Sequence, residues 1–122
     1  MNFKELKQTE KQICRDFIRQ FEYLRKLNQF EKKMYIFHVI NEQGSNTVAY
    51  TKSLFSIGMK PGVADYCVMI EGGRVAFLEF KRNSKSPISA SQKNFCEICG
   101  ILGISYAVAW NVEDAISWLK TL

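Results

Sequence analysis

The stretch Arg74-Val75-Ala76-Phe77-Leu78-Glu79-Phe80-Lys81-Arg82 decides the fold, because it is an apolar segment that ends in charged residues. Its β-branched and aromatic content predicts a strand. Alternate residues of a strand point to the same face, so Glu79 and Lys81 are expected to lie side by side. An acid and a base at the end of an apolar strand indicate either a functional site or a strand-end salt bridge.

A second strand precedes this one, and Glu71-Gly72-Gly73 is typical of the turn of a β-hairpin. If the loop has three residues, Ile70 pairs with Arg74, and Asp65 then lies opposite Glu79 with Cβ atoms about 5 Å apart. Two carboxylates at that distance repel each other, and a hard divalent cation with oxygen ligands relieves the repulsion. A two-residue turn would instead place Asp65 on the other face of the sheet.

Helices and strands alternate along the rest of the chain. Apolar periodicity predicts helices over 2–30, 47–57, 89–102 and 112–122, and strands over 34–40, 64–70, 74–82 and 105–110. This order, α-β-α-β-β-α-β-α, predicts an α/β fold in which a mixed four-stranded sheet is flanked by helices. The link between the last two strands is expected to be a right-handed crossover. A length of 122 residues predicts one domain over 1–122.

Composition narrows the function classes. The net charge of +5 favours an acidic partner such as nucleic acid. The sequence has no apolar run of membrane-spanning length and no signal peptide, so a cytoplasmic protein is expected. Cys96 and Cys99 form a C-x-x-C without a second pair, in a segment that is predicted to be helical, which argues against zinc. The four cysteines are expected to be reduced and to act as small apolar residues.

Two residues have competing interpretations. Glu10 continues the core-facing line of Leu6 and Ile13, where a carboxylate is costly unless it is paired or bound to metal; alternatively, it lies at the edge of the stripe and reaches solvent. His38 is expected to be a partly buried strand histidine with a hydrogen bond, in preference to a catalytic base. A basic stripe on the first helix is either a solvated face or a DNA-facing one; its residues are Lys7, Lys11, Arg15 and Arg19.

Three segments together resemble the VRR-NUC family, the virus-type replication-repair nucleases of the PD-(D/E)xK superfamily. They are G-M-K-P-G-V-A-D at 58–65, F-L-E-F-K at 77–81 and S-A-S-Q at 89–92, and the resemblance extends from Glu10 to the terminal helix. It implies a restriction-endonuclease-like core, phosphodiester cleavage that depends on Mg²⁺ or Mn²⁺, and a role in phage replication or DNA repair. The expected activity is that of a metal-dependent DNA endonuclease, including structure-specific forms.

The resemblance also implies roles for individual residues. Asp65, Glu79 and the backbone carbonyl of Phe80 would be metal ligands, with Glu10 completing the shell. Lys81 would polarise the attacking water or steady the transition state, and Gln92 would support the site. The expected supporting pair is Asn41 and Glu42, and the expected DNA contacts are Lys7, Lys11, Arg15, Lys60, Arg82 and Lys85.

The sequence departs from the family pattern at Ala64, where proline is usual, and at Phe80, where leucine is common. Neither change removes a metal-binding side chain. Three alternatives stay open: a Holliday-junction resolvase that acts as a homodimer, a non-catalytic DNA-binding module of the same fold, and Glu42 in place of Glu10 as the third carboxylate. Retention of Asp65, Glu79 and Lys81 argues against the non-catalytic module, because DNA binding alone does not need two acids near phosphate.

Overall fold

The structure, a computed structural model, describes residues 9–40, 48–83 and 86–122. Its elements follow the predicted order. They are α1 (Glu10–Lys26), β1 (Met34–His38), α2 (Val48–Ser56), β2 (Tyr66–Ile70), β3 (Arg74–Phe80), α3 (Ala90–Ile101), β4 (Ser105–Ala109) and α4 (Val112–Leu119). In the described part of the chain, no helix is both long and apolar enough to cross a membrane.

The sheet has the strand order β1-β2-β3-β4, in which β1 to β3 are antiparallel neighbours and β4 is parallel to β3. The mixed four-stranded sheet with flanking helices is therefore confirmed. Ile70 pairs with Arg74, as expected for a three-residue loop over 71–73. Gly72 and Gly73 take φ angles of 96° and 81° there, a region that L side chains rarely adopt. The parallel pairing of β3 and β4 confirms a crossover connection through α3.

One face of the sheet carries the core. Alternate residues of β2 and β3 are buried against α1 and α4, among them Val68, Leu78 and Phe80. The ring of Phe17 on α1 lies 5.1 Å from that of Phe80 and packs edge-on against it. Since Leu78 and Phe80 point into this core, Glu79 between them points to the opposite face.

The predicted bounds of the first helix are wrong. The helix begins at Glu10, because Thr9 caps it: Thr9 Oγ1 accepts from Gln12 N, and Gln12 Oε1 accepts from Thr9 N. It ends at Lys26, and Asn28 with φ 55° turns the chain away. Residues 2–8 lie outside the described residues.

The other boundaries agree with the prediction to within three residues, and five of them coincide with it. At the site, β2 begins at Tyr66, so Asp65 immediately precedes the strand; the main chain is still held there, because Val39 N donates to Asp65 O at 2.7 Å. Strand β3 ends at Phe80, so Lys81 immediately follows it. Asn111 is the N-cap of α4, since its side chain accepts from Asp114 N.

Candidate active site

Backbone N–H groups bind both carboxylates of the site where β2 begins and β3 ends. Asp65 N donates to Glu79 Oε2 at 3.2 Å, and Phe80 N donates to Asp65 Oδ2 at 2.7 Å. The pairing of Tyr66 with Leu78 is the last rung of the ladder, and these contacts continue the same register by one step. The predicted juxtaposition of Asp65 and Glu79 is therefore present.

Both carboxylates are destabilised as anions. Glu79 is 5% exposed, and burial is the main cause that raises its pKa to about 7. The charge of Asp65 raises it further, whereas Lys81 and the Asp65 N–H act in the opposite direction. Asp65 is half-buried, and its pKa is also raised, first by burial and then by the charge of Glu10, against the lowering effect of the Phe80 N–H.

Lys81 is buried beside these acids, with 8% of its surface exposed. Its Nζ donates to Gln92 Oε1 at 2.9 Å and to the Pro87 carbonyl at 3.2 Å. The strand-end salt bridge considered as an alternative is not formed. Among the described residues, the ion pairs within 4.0 Å are Arg19–Asp16 and Arg25–Glu22, and neither includes Lys81 or Glu79. Lys81 therefore faces the acids without being neutralised by direct contact with either.

Gln92 joins the lysine to the acid. Its Oε1 accepts from Lys81, while its Nε2 donates to Glu79 Oε1 at 3.1 Å. Gln92 Oε1 also accepts from Ser89 N at 3.0 Å, and Ser89 Oγ accepts from Gln92 N. These two bonds form the capping box that begins α3. The side-chain amide of Gln92 thus connects the start of α3 to both Lys81 and Glu79. The S-x-x-Q spacing contains this capping signal, which the sequence analysis did not use.

The loop before Asp65 is pressed against the start of α3. Gly62 has φ 79°, and a Cβ placed there would lie 2.6 Å from Gln92 N and would also clash with the Ser91 backbone. Only a residue without a side chain permits this approach. The glycine of the G-x-x-x-G-x-x-D pattern therefore lets two backbone segments of the site touch.

Glu10 lies in the first turn of α1, and its predicted core-facing position is wrong because the residue is exposed. The buried line of α1 begins one turn later, at Ile13. The charge of Glu10 nevertheless contributes to raising the pKa values of Asp65 and Glu79, so it acts electrostatically on both acids.

His38 was expected to be partly buried, and this is wrong because it is exposed at the end of β1, with its ring 5.2 Å from that of Tyr66. Its ring lies against the residue that follows Asp65, and its positive charge contributes to lowering the pKa of Asp65. The sequence pattern did not predict this proximity.

The remaining predicted residues are dispersed. The basic residues of the described chain proposed to contact DNA are all exposed; they are Lys11, Arg15, Lys60 and Arg82. The others lie outside the described residues; they are Lys7, Asn41, Glu42 and Lys85. Cys96 and Cys99 both lie within α3, as predicted, and Cys99 is buried while Cys96 is exposed.

Comparison with known proteins finds no matching family model, curated protein or solved structure. The interpretation of the site therefore depends on its own residues and geometry.

Proposed function

We propose that this protein is a Mg²⁺- or Mn²⁺-dependent DNA endonuclease of the VRR-NUC type, with a restriction-endonuclease-like core. One observation carries the proposal: two carboxylates, Asp65 and Glu79, meet at the end of a sheet, beside a buried lysine that neither of them neutralises. Repelling acids next to an available ammonium group suit a reaction that handles both a divalent cation and a phosphate.

The donor set fits a hard cation. Asp65 and Glu79 supply carboxylate oxygens, the ligand type that Mg²⁺ prefers, and the Phe80 carbonyl follows directly in the chain. Burial is the main cause that raises the pKa values of both acids, and a bound cation would stabilise their charged forms. Within the described residues no group of three or more His, Cys, Asp or Glu side chains is already arranged as a metal site. Glu10, whose charge acts on both acids, is the proposed third ligand.

When bound, the metal would lower the pKa of a water molecule and offset charge on phosphate oxygens. Lys81 contributes independently of it. An ammonium group has three N–H donors, and two are used by Gln92 Oε1 and the Pro87 carbonyl. The third can donate to a phosphate oxygen or to the attacking water. Gln92 fixes the direction of that donor, because its oxygen is itself held by Ser89 N.

Cleavage of supercoiled plasmid and of labelled linear, flapped and four-way DNA, with Mg²⁺, Mn²⁺ or EDTA, tests the proposal. We expect cleavage only with metal, and at least about a hundredfold loss in Asp65→Asn. Asparagine can still accept from Phe80 N through its oxygen, so the fold should persist. The matched control is Asp114→Asn, an exposed position on α4, which should cleave like the parent.

The same assay decides between the alternatives. A preference for four-way DNA, together with a dimer in solution, would favour a junction resolvase. DNA binding without metal-dependent cleavage of any substrate would refute the nuclease proposal and leave the non-catalytic module.

A further inference from the structure

The sheet face that carries Glu79 is covered unevenly. Over β3 and β4, the ring of Phe95 on α3 packs edge-on against Phe77 and Tyr106, at 5.0 and 6.0 Å. Over β1 and β2, three large side chains on this face are exposed, Tyr35 at 68%, Phe37 at 42% and Met69 at 49%, whereas Cys67 beside Phe37 is buried. Large apolar side chains grouped on one surface indicate an interaction site.

The exposed rings of Tyr35 and Phe37 lie in a row on β1 that continues to the level of Asp65. The centroids of Tyr35 and Phe37 are 6.4 Å apart, on successive outward positions of β1. Val39, the next position on this face, pairs with Asp65 through its N–H. Successive outward positions are about 7 Å apart, so Phe37 lies one such step from the level of Asp65, and Tyr35 lies two.

The size of this surface argues against a second copy of the chain as its occupant. From side-chain areas of about 150–250 Å² and the exposed fractions above, Tyr35, Phe37 and Met69 present roughly 300 Å². A stable protein–protein interface takes about 800 Å² from each partner, of which roughly 500 Å² is apolar. Two or three flat bases match the smaller area, and every base has a π-face that stacks on aromatic rings. The positive net charge of +5 suits a polyanionic strand.

We propose that Tyr35, Phe37 and Met69 form a stacking face that holds unpaired bases of a single-stranded nucleic acid next to the Asp65–Glu79 site. This inference rests on the proposed function for the nature of the ligand and extends it. The bases of a blunt duplex are already stacked inside the helix, so the stacking face directs single-stranded ends, flaps or gaps toward the acids.

Fluorescence anisotropy with labelled oligothymidine and with a blunt duplex, both in EDTA, tests the stacking face separately from cleavage. Tyr35→Ala/Phe37→Ala should weaken oligothymidine binding by roughly tenfold per ring and duplex binding by much less. Tyr35→Leu/Phe37→Leu keeps an apolar surface without rings and should lose most of the same affinity. The matched control, Tyr23→Ala, removes an exposed ring from α1 and should bind like the parent.

Three outcomes would overturn the stacking face. They are unchanged oligothymidine binding in the alanine double variant, full binding in the leucine double variant, and equal losses for single strand and duplex. A dimer of the parent that becomes monomeric in both double variants, with oligothymidine affinity unaltered, would assign the surface to a second copy. Because the assay contains no metal, a protein that never cleaves DNA can still pass it, and a metal-dependent nuclease can still fail it.

Discussion

Replacing Glu79 by glutamine should change how the stability of the metal-free protein depends on pH. The pKa of Glu79 is raised to about 7 in the folded state, from 4.5 without the fold, chiefly by burial. Between these values the folded protein binds the proton more tightly than the unfolded chain does. The free energy of unfolding therefore falls as pH rises from the lower value through the higher one. Below about pH 4.5 both states are protonated, and this source of pH dependence vanishes.

The structure sets the size of the effect. A shift of this extent corresponds to roughly 3 kcal/mol, of which on the order of 2 kcal/mol falls between about pH 5 and pH 8. Glutamine does not titrate. Two donors, Asp65 N and Gln92 Nε2, point at the two oxygens of Glu79, and glutamine has only one oxygen. The variant should thus lose about 1 kcal/mol at every pH from one unmade hydrogen bond.

Urea denaturation in EDTA at about pH 5, 6, 7 and 8 measures this difference. From the lowest to the highest pH, the parent should lose on the order of 2 kcal/mol more than Glu79→Gln. Asp65 has the same sign of shift and remains in both proteins, so some pH dependence should survive in the variant. Glu97→Gln, an exposed position on α3, is the matched control and should follow the parent. Equal pH slopes for the parent and Glu79→Gln would refute the reasoning that burial holds this acid near neutrality.

Three further predictions concern the geometry of the site. Lys81→Ala should lower cleavage by about a hundredfold in single-turnover assays, because the lysine acts on phosphate or water. Mn²⁺ binding, measured by calorimetry, should be retained, since the lysine is not a metal ligand. Cleavage at the parental rate would contradict this role. Gly62→Ala should lower both the urea midpoint and cleavage by more than Gly58→Ala does. Both glycines have positive φ, but only Gly62 is pressed against the backbone of another segment. Equal losses would mean that the close approach to α3 is unimportant. Glu10→Gln should weaken Mn²⁺ binding and cleavage together, and Glu42→Gln should affect cleavage less; the reverse order in the titration would make Glu42 the third carboxylate.

Much of the fold could be predicted from local patterns. The turn near 71–73 and the two-residue period of its strands limited Asp65 to two positions, because the register of a hairpin follows from loop length, and the structure shows the three-residue loop that places it opposite Glu79. Helix bounds were predicted less well. The apolar period that predicts the first helix continues over 2–30, beyond both of the observed limits. Those limits depend on the Thr9 capping box and on the positive φ of Asn28.

The amino-acid sequence by itself determined the order of the elements and the position of the hairpin, and it left two registers open, one of which brings two acids and a lysine to one end of the sheet. Only the tertiary structure decided that Gln92 bridges Lys81 and Glu79, that Gly62 touches the start of α3, and that Glu10 is exposed. It also decided that the rings on β1 stay uncovered. The physical reason is range: periodicity, caps and turns depend on residues a few positions apart. Contacts between α3, the loop before β2 and the end of β3 depend on how separate segments pack.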